Sequence, residues 1–369
     1  MEDLLLLSKD TPIAELTDGA VRAIIPARLP LFLQRTGDAA AWLRSRAIDG
    51  HRTNSRLLKR VLRLEHKDDL TTVLAVNAAT ITDNFWVRPL SGDSPRYDDI
   101  RFKLNLFDDL ALTGDANSFD RPPGRTPELT NTGSFEKCWR LEDGAWMMYK
   151  AGRREELFSE LFAYHIGCLL DIPMARYEAS GDFIKSRDFT EGARVDFESA
   201  AGIIGDEADY IKIYEALRGT GKEAGVELAA RYVAMCYFDG LVFNMDRHEN
   251  NFGVLRSPET GDIISAAPLY DHNISLIARG YPNRDPGDML IDDFAKLLKY
   301  IGEPFHAPRL TENALVPIAL NIPYAPPPTD IASSPREFAA RYILRRQDAL
   351  EKRCGGLLRL SDADLFPNY

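Results

Sequence analysis

The 369-residue sequence predicts an α+β fold: a small mixed N-terminal subdomain, a strand-bearing middle and a mainly helical C-terminal lobe. Three observations predict it. "SFEKCWRLEDGAWMMYKAG" (134–152) reads as two strands joined through Glu-Asp-Gly, a hairpin signal. "REELFSELFAYHIGCLL" (154–170) has apolar residues at 157, 158, 161, 162, 166, 169 and 170, which is a helical period ending before Asp-Ile-Pro. Two further helical patterns, "AGVELAARYVAMCYFDGLVF" (224–243) and "PREFAARYILRRQDALEKRC" (335–354), fill the C-terminal part.

In chain order, "VRAIIPARLPLFL" is an apolar segment broken by prolines, and helical patterns come next at "DAAAWLRSRAI" and "SRLLKRVLRL". Residues 91–128 are rich in Gly, Pro, Ser and Asp, the composition of loops, and place a boundary there. The expected divisions are 1–95, an N-terminal mixed subdomain; 96–190, with a Gly-containing loop, a lysine strand and a glutamate helix; and 191–369, the helical lobe. No internal repeat is visible.

Composition bounds the function. Hydrophobic residues at 45% with 27% charged residues are ordinary for a globular chain, and no apolar run approaches the roughly 20 residues that span a bilayer. The start, "MEDLLLLSKD", lacks the basic opening and small-residue cleavage site of a signal peptide, so a cytoplasmic location is expected. A net charge of -11 and pI near 5.2 argue against nucleic acid as the main partner, because neutralising phosphates takes a basic face. The local exception, "RTNSRLLKRVLRLEHK" (52–67), reads as a basic amphipathic helix with a solvated charged face. Cys138, Cys168, Cys236 and Cys354 lie far apart without CxxC spacing and read as buried thiols rather than zinc ligands or disulfides.

The stretch "FNMDRHENNFGVL" (243–255) carries the chemistry. Transferring the terminal phosphoryl of ATP demands positioning, neutralised oxygen charge and metal ions on hard oxygen ligands. Asp246 is a candidate base or orienter for an attacking hydroxyl, and Asn251, five residues on, offers an amide oxygen to Mg2+. Asp271, in "AAPLYDHNISL", is placed for the second, bridging metal contact. "TNTGSFEK" (130–137) supplies a Gly-containing loop, Thr132, Gly133 and Ser134, whose backbone N–H groups can approach phosphates. Lys150 ends an otherwise apolar strand, and Glu160, inside the apolar helix, is read as the partner that holds Lys150 on the α- and β-phosphates. His248 reads as support for the loop and Arg247 as a loop brace.

These motifs together resemble the HipA-like kinases, which include the HipA toxins and the CtkA-type secreted kinases of bacteria. "TNTGSFEK" resembles their loop SxAGAQEK, "SELFAYHIGCLLDIPMA" their helix NExxCxxLAxxxGLPVA, and "NMDRHENNFGVL" with "APLYD" their NxDxHxKNF and APxYD. The resemblance covers roughly residues 125–310. It implies a two-lobed protein-kinase-like fold, ATP and Mg2+ as cofactors, and serine/threonine phosphorylation. Carried over, Lys150 is the nucleotide lysine, Glu160 its helix partner, Asp246 the catalytic aspartate, and Asn251 and Asp271 the metal ligands. Ile184 and Ser186, in "GDFIKSRDF", fall where the hinge offers backbone to adenine, and Thr130 falls where the family autophosphorylates. A protein substrate and an antitoxin-like regulator are the implied partners.

The sequence departs from the family in two places. Asn250 stands where the family has a lysine, which removes a positive charge that Arg247 or Lys137 would have to replace. The N-terminal hundred residues, with "ITDNFWVRP", match poorly, so the family's substrate and partner do not transfer. Two competing readings stand beside the kinase: a nucleotide-binding pseudokinase acting as an interaction module, and a lipid or small-molecule kinase, since "DRHxxN" also resembles the catalytic loop of phosphoinositide kinases.

Overall fold

The computed structural model describes residues 3–115, 117, 120, 121, 124–282 and 288–362. The chain divides into two units, each discontinuous in sequence: Met1–Ala151 with Lys185–Ile203 and Gly253–Ser265, and Gly152–Ile184 with Ile204–Phe252 and Ala266–Tyr369.

The first unit is built on an antiparallel sheet in the order Ala20–Ala23, Thr11–Thr17, Leu4–Ser8, Phe85–Pro89. The run of four leucines makes sense there, because a strand buried on both faces needs apolar side chains at every position. Leu4 and Leu6, with Phe85 and Val87, enter one core cluster with Trp42 and Leu43 of the helix Ala39–Ser45. Leu5, Leu7 and Trp86 face the other way, into a cluster with Leu58, Phe107, Leu129, Trp139 and Trp146. This second cluster therefore draws residues from both sides of position 95.

The hairpin of Lys137–Glu142 and Ala145–Lys150 forms as its pattern predicts, in a register that pairs Glu142 with Ala145 and Lys137 with Lys150. Asp143 and Gly144, at φ 49° and 80°, make a two-residue turn with both central residues left-handed, the geometry whose twist suits a hairpin. On its other side Ala145–Lys150 neighbours the strand Phe183–Arg187, of which residues 185–187 belong to this unit. A separate sheet of Ile263–Ala266, Gly253–Arg256 and Asp196–Ser199 holds the strand directly after the charged motif. Its buried Arg256 pairs with Glu198 and donates to the carbonyls of Ala27 (2.8 Å), Leu29 (2.9 Å) and Gly261 (2.7 Å), tying that strand to the N-terminal segment.

The second unit is mainly helical. The helix Leu228–Val242 is buried almost all round, packed by Tyr210–Ala224, Met289–Ile301 and Pro335–Cys354. An apolar surface on every side explains why its sequence lacks an amphipathic stripe. Asp209 and Asp288 cap two of these neighbours by accepting backbone N–H groups, and Gly225 and Gly302 end them in the left-handed region. Among the described residues no helix is long and apolar enough to cross a membrane. Cys138, Cys236 and Cys354 are buried free thiols; Cys168 is exposed, on the outer side of its helix near the C-terminal end, which corrects the expectation of four buried thiols.

Candidate functional site

In the second unit the candidate residues Asp246, Asn251 and Asp271 follow the end of the buried helix Leu228–Val242. Phe243 turns the chain with φ 55°, and Asn244 then donates its side-chain amide to Asp239 at 2.9 Å. Asp239 is a buried carboxylate in an otherwise apolar run, and it anchors the charged loop beyond the helix. Arg247 meets it with two donors, Nε at 2.8 Å and Nη2 at 3.0 Å. The same guanidinium donates to the Tyr270 carbonyl (2.9 Å), the Asn251 carbonyl and Nε2 of His272 (2.8 Å). A guanidinium has five N–H groups in a fixed fork, and all five are engaged. Arg247 is thus the brace between the Asp246 loop and the Asp271 segment, as the sequence suggested, and its charge is committed to Asp239. It does not replace the lysine missing at Asn250.

Because arginine can only donate, Nε2 of His272 accepts and its proton resides on Nδ1, facing Glu160 Oε1 at 3.8 Å. Burial holds this imidazole below its usual pKa, so it stays neutral. Glu160 itself is 0% exposed and accepts the backbone N–H of His272 at 2.9 Å. Ser159 donates to the Ser275 carbonyl (2.9 Å), and Arg153 to the Ala278 carbonyl (2.7 Å). The helix Arg154–Leu169 is therefore stitched along the segment that carries Asp271.

Asn251 donates its side-chain N–H to the Asp246 carbonyl at 3.0 Å, which leaves the amide oxygen as its acceptor end. Asp246 is half-buried, and burial first, then the negative charge of Asp271, push its carboxyl above the ordinary range; His248, Arg279 and Arg247 pull the other way. The Asp246 carboxylate, raised by burial and by the charge of Asp271, lies beside an amide oxygen, and oxygens of these kinds are hard donors suited to a divalent cation. Asp271 sits at φ 64°, a left-handed conformation that aspartate tolerates better than most side chains. His248 accepts the Asn250 N–H at 3.3 Å and supports the loop.

The first unit places the other candidates. Lys150 ends its strand and is 7% exposed, while Thr132, Gly133 and Ser134 form an exposed loop with Gly133 at φ 95°. Below the loop, Glu128 accepts from Asn105 (2.8 Å), Trp139 N–H (2.7 Å) and Asn131 (2.8 Å). Burial nevertheless pushes its carboxyl up to about 6. Arg52, which the sequence placed in a solvated basic helix, is buried and donates to the carbonyls of Asn131 (3.0 Å) and Lys137 (2.5 Å), clamping both ends of the loop. Thr130 is buried as well, its hydroxyl donating to the Ala79 carbonyl at 2.7 Å. Ile184 and Ser186 are buried residues of the strand Phe183–Arg187, Ile184 in the second unit and Ser186 in the first.

Sequence reasoning missed Asp239, His272, Arg52 and Glu128. Asp239 alone gave a signal, as an acid inside "MCYFDGLVF".

No protein-family model matches this chain, and no curated protein matches it in sequence. Among solved structures it is similar to HipA of Shewanella oneidensis MR-1, from a toxin–antitoxin complex of HipA, HipB and operator DNA. That match has TM-score 0.58 and 14% identity, over 96% of this chain and 98% of the other. It is also similar to the Helicobacter pylori proinflammatory kinase CtkA, with TM-score 0.45 and 17% identity, over 59% of this chain and 94% of that one. The resemblance read from the motifs therefore holds at the level of fold, since HipA and this chain share an architecture across nearly their full lengths.

Proposed function

We propose that this protein is an ATP- and Mg2+-dependent phosphotransferase of the HipA-like class that phosphorylates serine or threonine hydroxyls of a protein. The observation that carries the reading is the coupled pair Asp246 and Asp271, with the amide of Asn251 beside them, all fixed by Arg247. Asp271 and Asn251 would hold Mg2+, whose chemistry is to neutralise phosphate oxygen charge in transfer. Asp246 orients the acceptor hydroxyl and takes its proton; a carboxyl raised by burial and by a neighbouring carboxylate is a better base than an ordinary aspartate. Thr132, Gly133 and Ser134 offer backbone N–H groups to the phosphates, and Lys150 adds a cation to them. Glu160 keeps the Asp271 segment seated by accepting the His272 N–H.

Thr130 is the proposed autophosphorylation site. Its hydroxyl is spent on Ala79, so it meets a phosphoryl donor only after segment 126–131 leaves its seat, and the phosphate would then hold that segment out. An antitoxin-like regulator is the proposed partner, by analogy with the HipA–HipB complex.

The test is incubation of the purified protein, alone and with a cell lysate, with γ-labelled ATP and Mg2+. Labelled serine or threonine in protein supports the reading, labelled lipid moves the acceptor class, and no label in either supports a nucleotide-binding module instead. Asp271→Asn should abolish the labelling, losing at least about 2.7–4 kcal/mol of transition-state stabilisation, the scale of one electrostatic contact. Peptide mass spectrometry should place any self-label within residues 126–134.

A further inference from the structure

Within the second unit, the segment that carries Asp271 is tied by its backbone to the end of the helix Leu228–Val242. Leu276 N–H donates to the Val242 carbonyl at 2.9 Å, and Met245 N–H donates to the Ile274 carbonyl at 3.4 Å. Two tight turns follow, Ala278 N–H to the Ser275 carbonyl (2.9 Å) and Gly280 N–H to the Ile277 carbonyl (3.0 Å), while Arg153 donates to the Ala278 carbonyl at 2.7 Å. The backbone is thus held on both sides of residue 279. Every residue from His272 to Ala278 is buried, and Arg279 is the first to emerge into solvent. Among the described residues its guanidinium has no hydrogen-bond or ion-pair partner, whereas that of Arg247 is fully engaged. Its charge nevertheless reaches the site. At the Asp246 carboxyl, which burial and then Asp271 push above the ordinary range, the leading opposing charges are His248 and Arg279, both ahead of Arg247. Met245, immediately before Asp246, is 52% exposed and offers an apolar surface there.

An exposed guanidinium on a fixed backbone presents a planar fork of N–H groups that matches a carboxylate with two parallel hydrogen bonds. An exposed methionine next to it suits packing against a polypeptide. The chain as a whole carries a net charge of -11, so its long-range field repels acidic partners, and a preference for one has to come from a short-range contact of this kind. We infer that Arg279 is a specificity-determining residue that binds a carboxylate of the acceptor protein, so that the hydroxyls presented to Asp246 are serines or threonines flanked by acidic residues. This rests on the phosphotransferase reading, whose catalytic machinery does not include Arg279.

The full chain is incubated with γ-labelled ATP, Mg2+ and a phosphatase-treated lysate, intact and as a peptide digest, and the labelled sites are mapped by mass spectrometry. Wild-type sites should carry an acidic residue within about three positions of the acceptor, about 10 Å of extended chain. Synthetic peptides of the strongest sites, each with a counterpart whose flanking acid is changed to the amide, then give kcat/KM. Arg279→Glu should lower it at least about tenfold for the acidic peptide, the scale of one charged contact, and change it little for the amide peptide. Arg279→Lys should keep part of the preference, and the melting temperature should be the same in all three proteins, because the side chain is exposed. Equal wild-type kcat/KM for acidic and amide peptides would overturn the inference and leave the phosphotransferase reading standing. Equal losses on both peptides in Arg279→Glu would overturn it too, since the residue would then serve transfer and not selection. No label in either the lysate or its digest would remove the phosphotransferase reading, and the inference with it.

Discussion

Replacing Arg247 with methionine tests how the candidate site is held, whatever its chemistry. The guanidinium is 7% exposed and spans Asp239, the carbonyls of Asn251 and Tyr270, and His272. Its loss leaves the Asp239 carboxylate, 2% exposed, with the Asn244 amide as a neutral donor in place of a charge. Breaking one side of a buried ion pair costs about 3–5 kcal/mol, because the remaining charge is uncompensated. Asp239→Asn should cost a similar amount by stranding the guanidinium. The double variant removes both charges and should be far better than the sum, with a coupling of about 2 kcal/mol or more. Arg247→Lys should fall between wild type and Arg247→Met, since three donors on a point charge cannot reach four partners. Urea denaturation monitored by tryptophan fluorescence measures all four proteins. Single variants within about 1 kcal/mol of wild type whose effects simply add would refute the idea that this pair holds the two segments together.

The other predictions concern the first unit. Glu128 is pushed from about 4.5 up to about 6 on folding, so the folded state holds its proton longer than the unfolded chain. A raised value stabilises fully below about pH 4.5 and is lost as pH rises through about 6, a swing of about 2 kcal/mol; denaturation midpoints at both ends of that window should show a fall that Glu128→Gln lacks. Gly144→Ala should cost about 1 kcal/mol through backbone strain alone, because φ is 80° and nothing lies within 4 Å of an added Cβ. Gly144→Asn should cost clearly less, and equal melting curves for wild type and alanine variant would contradict the turn geometry.

The sequence by itself determined what local physics specifies. Alternation and a Glu-Asp-Gly turn sufficed for the hairpin, and with a two-residue turn the register opposing Lys137 to Lys150 comes from counting outward from Glu142 and Ala145. A 3.6-residue period sufficed for Arg154–Leu169, and the five-residue separation of Asp246 from Asn251 sufficed to put them in one tight turn, where the Asn251 amide meets the Asp246 carbonyl. Tertiary structure alone decided which charges are buried and paired. Arg52 and Arg247 look in sequence like any surface arginine, yet both are buried among carbonyls from segments distant in the chain. Burial of a charge depends on partners that arrive from elsewhere, such as Asp239 eight residues back and Tyr270 twenty-three residues on, and no local pattern encodes their arrival. Thr130 illustrates the same point, since its hydroxyl is engaged by Ala79, fifty-one residues earlier.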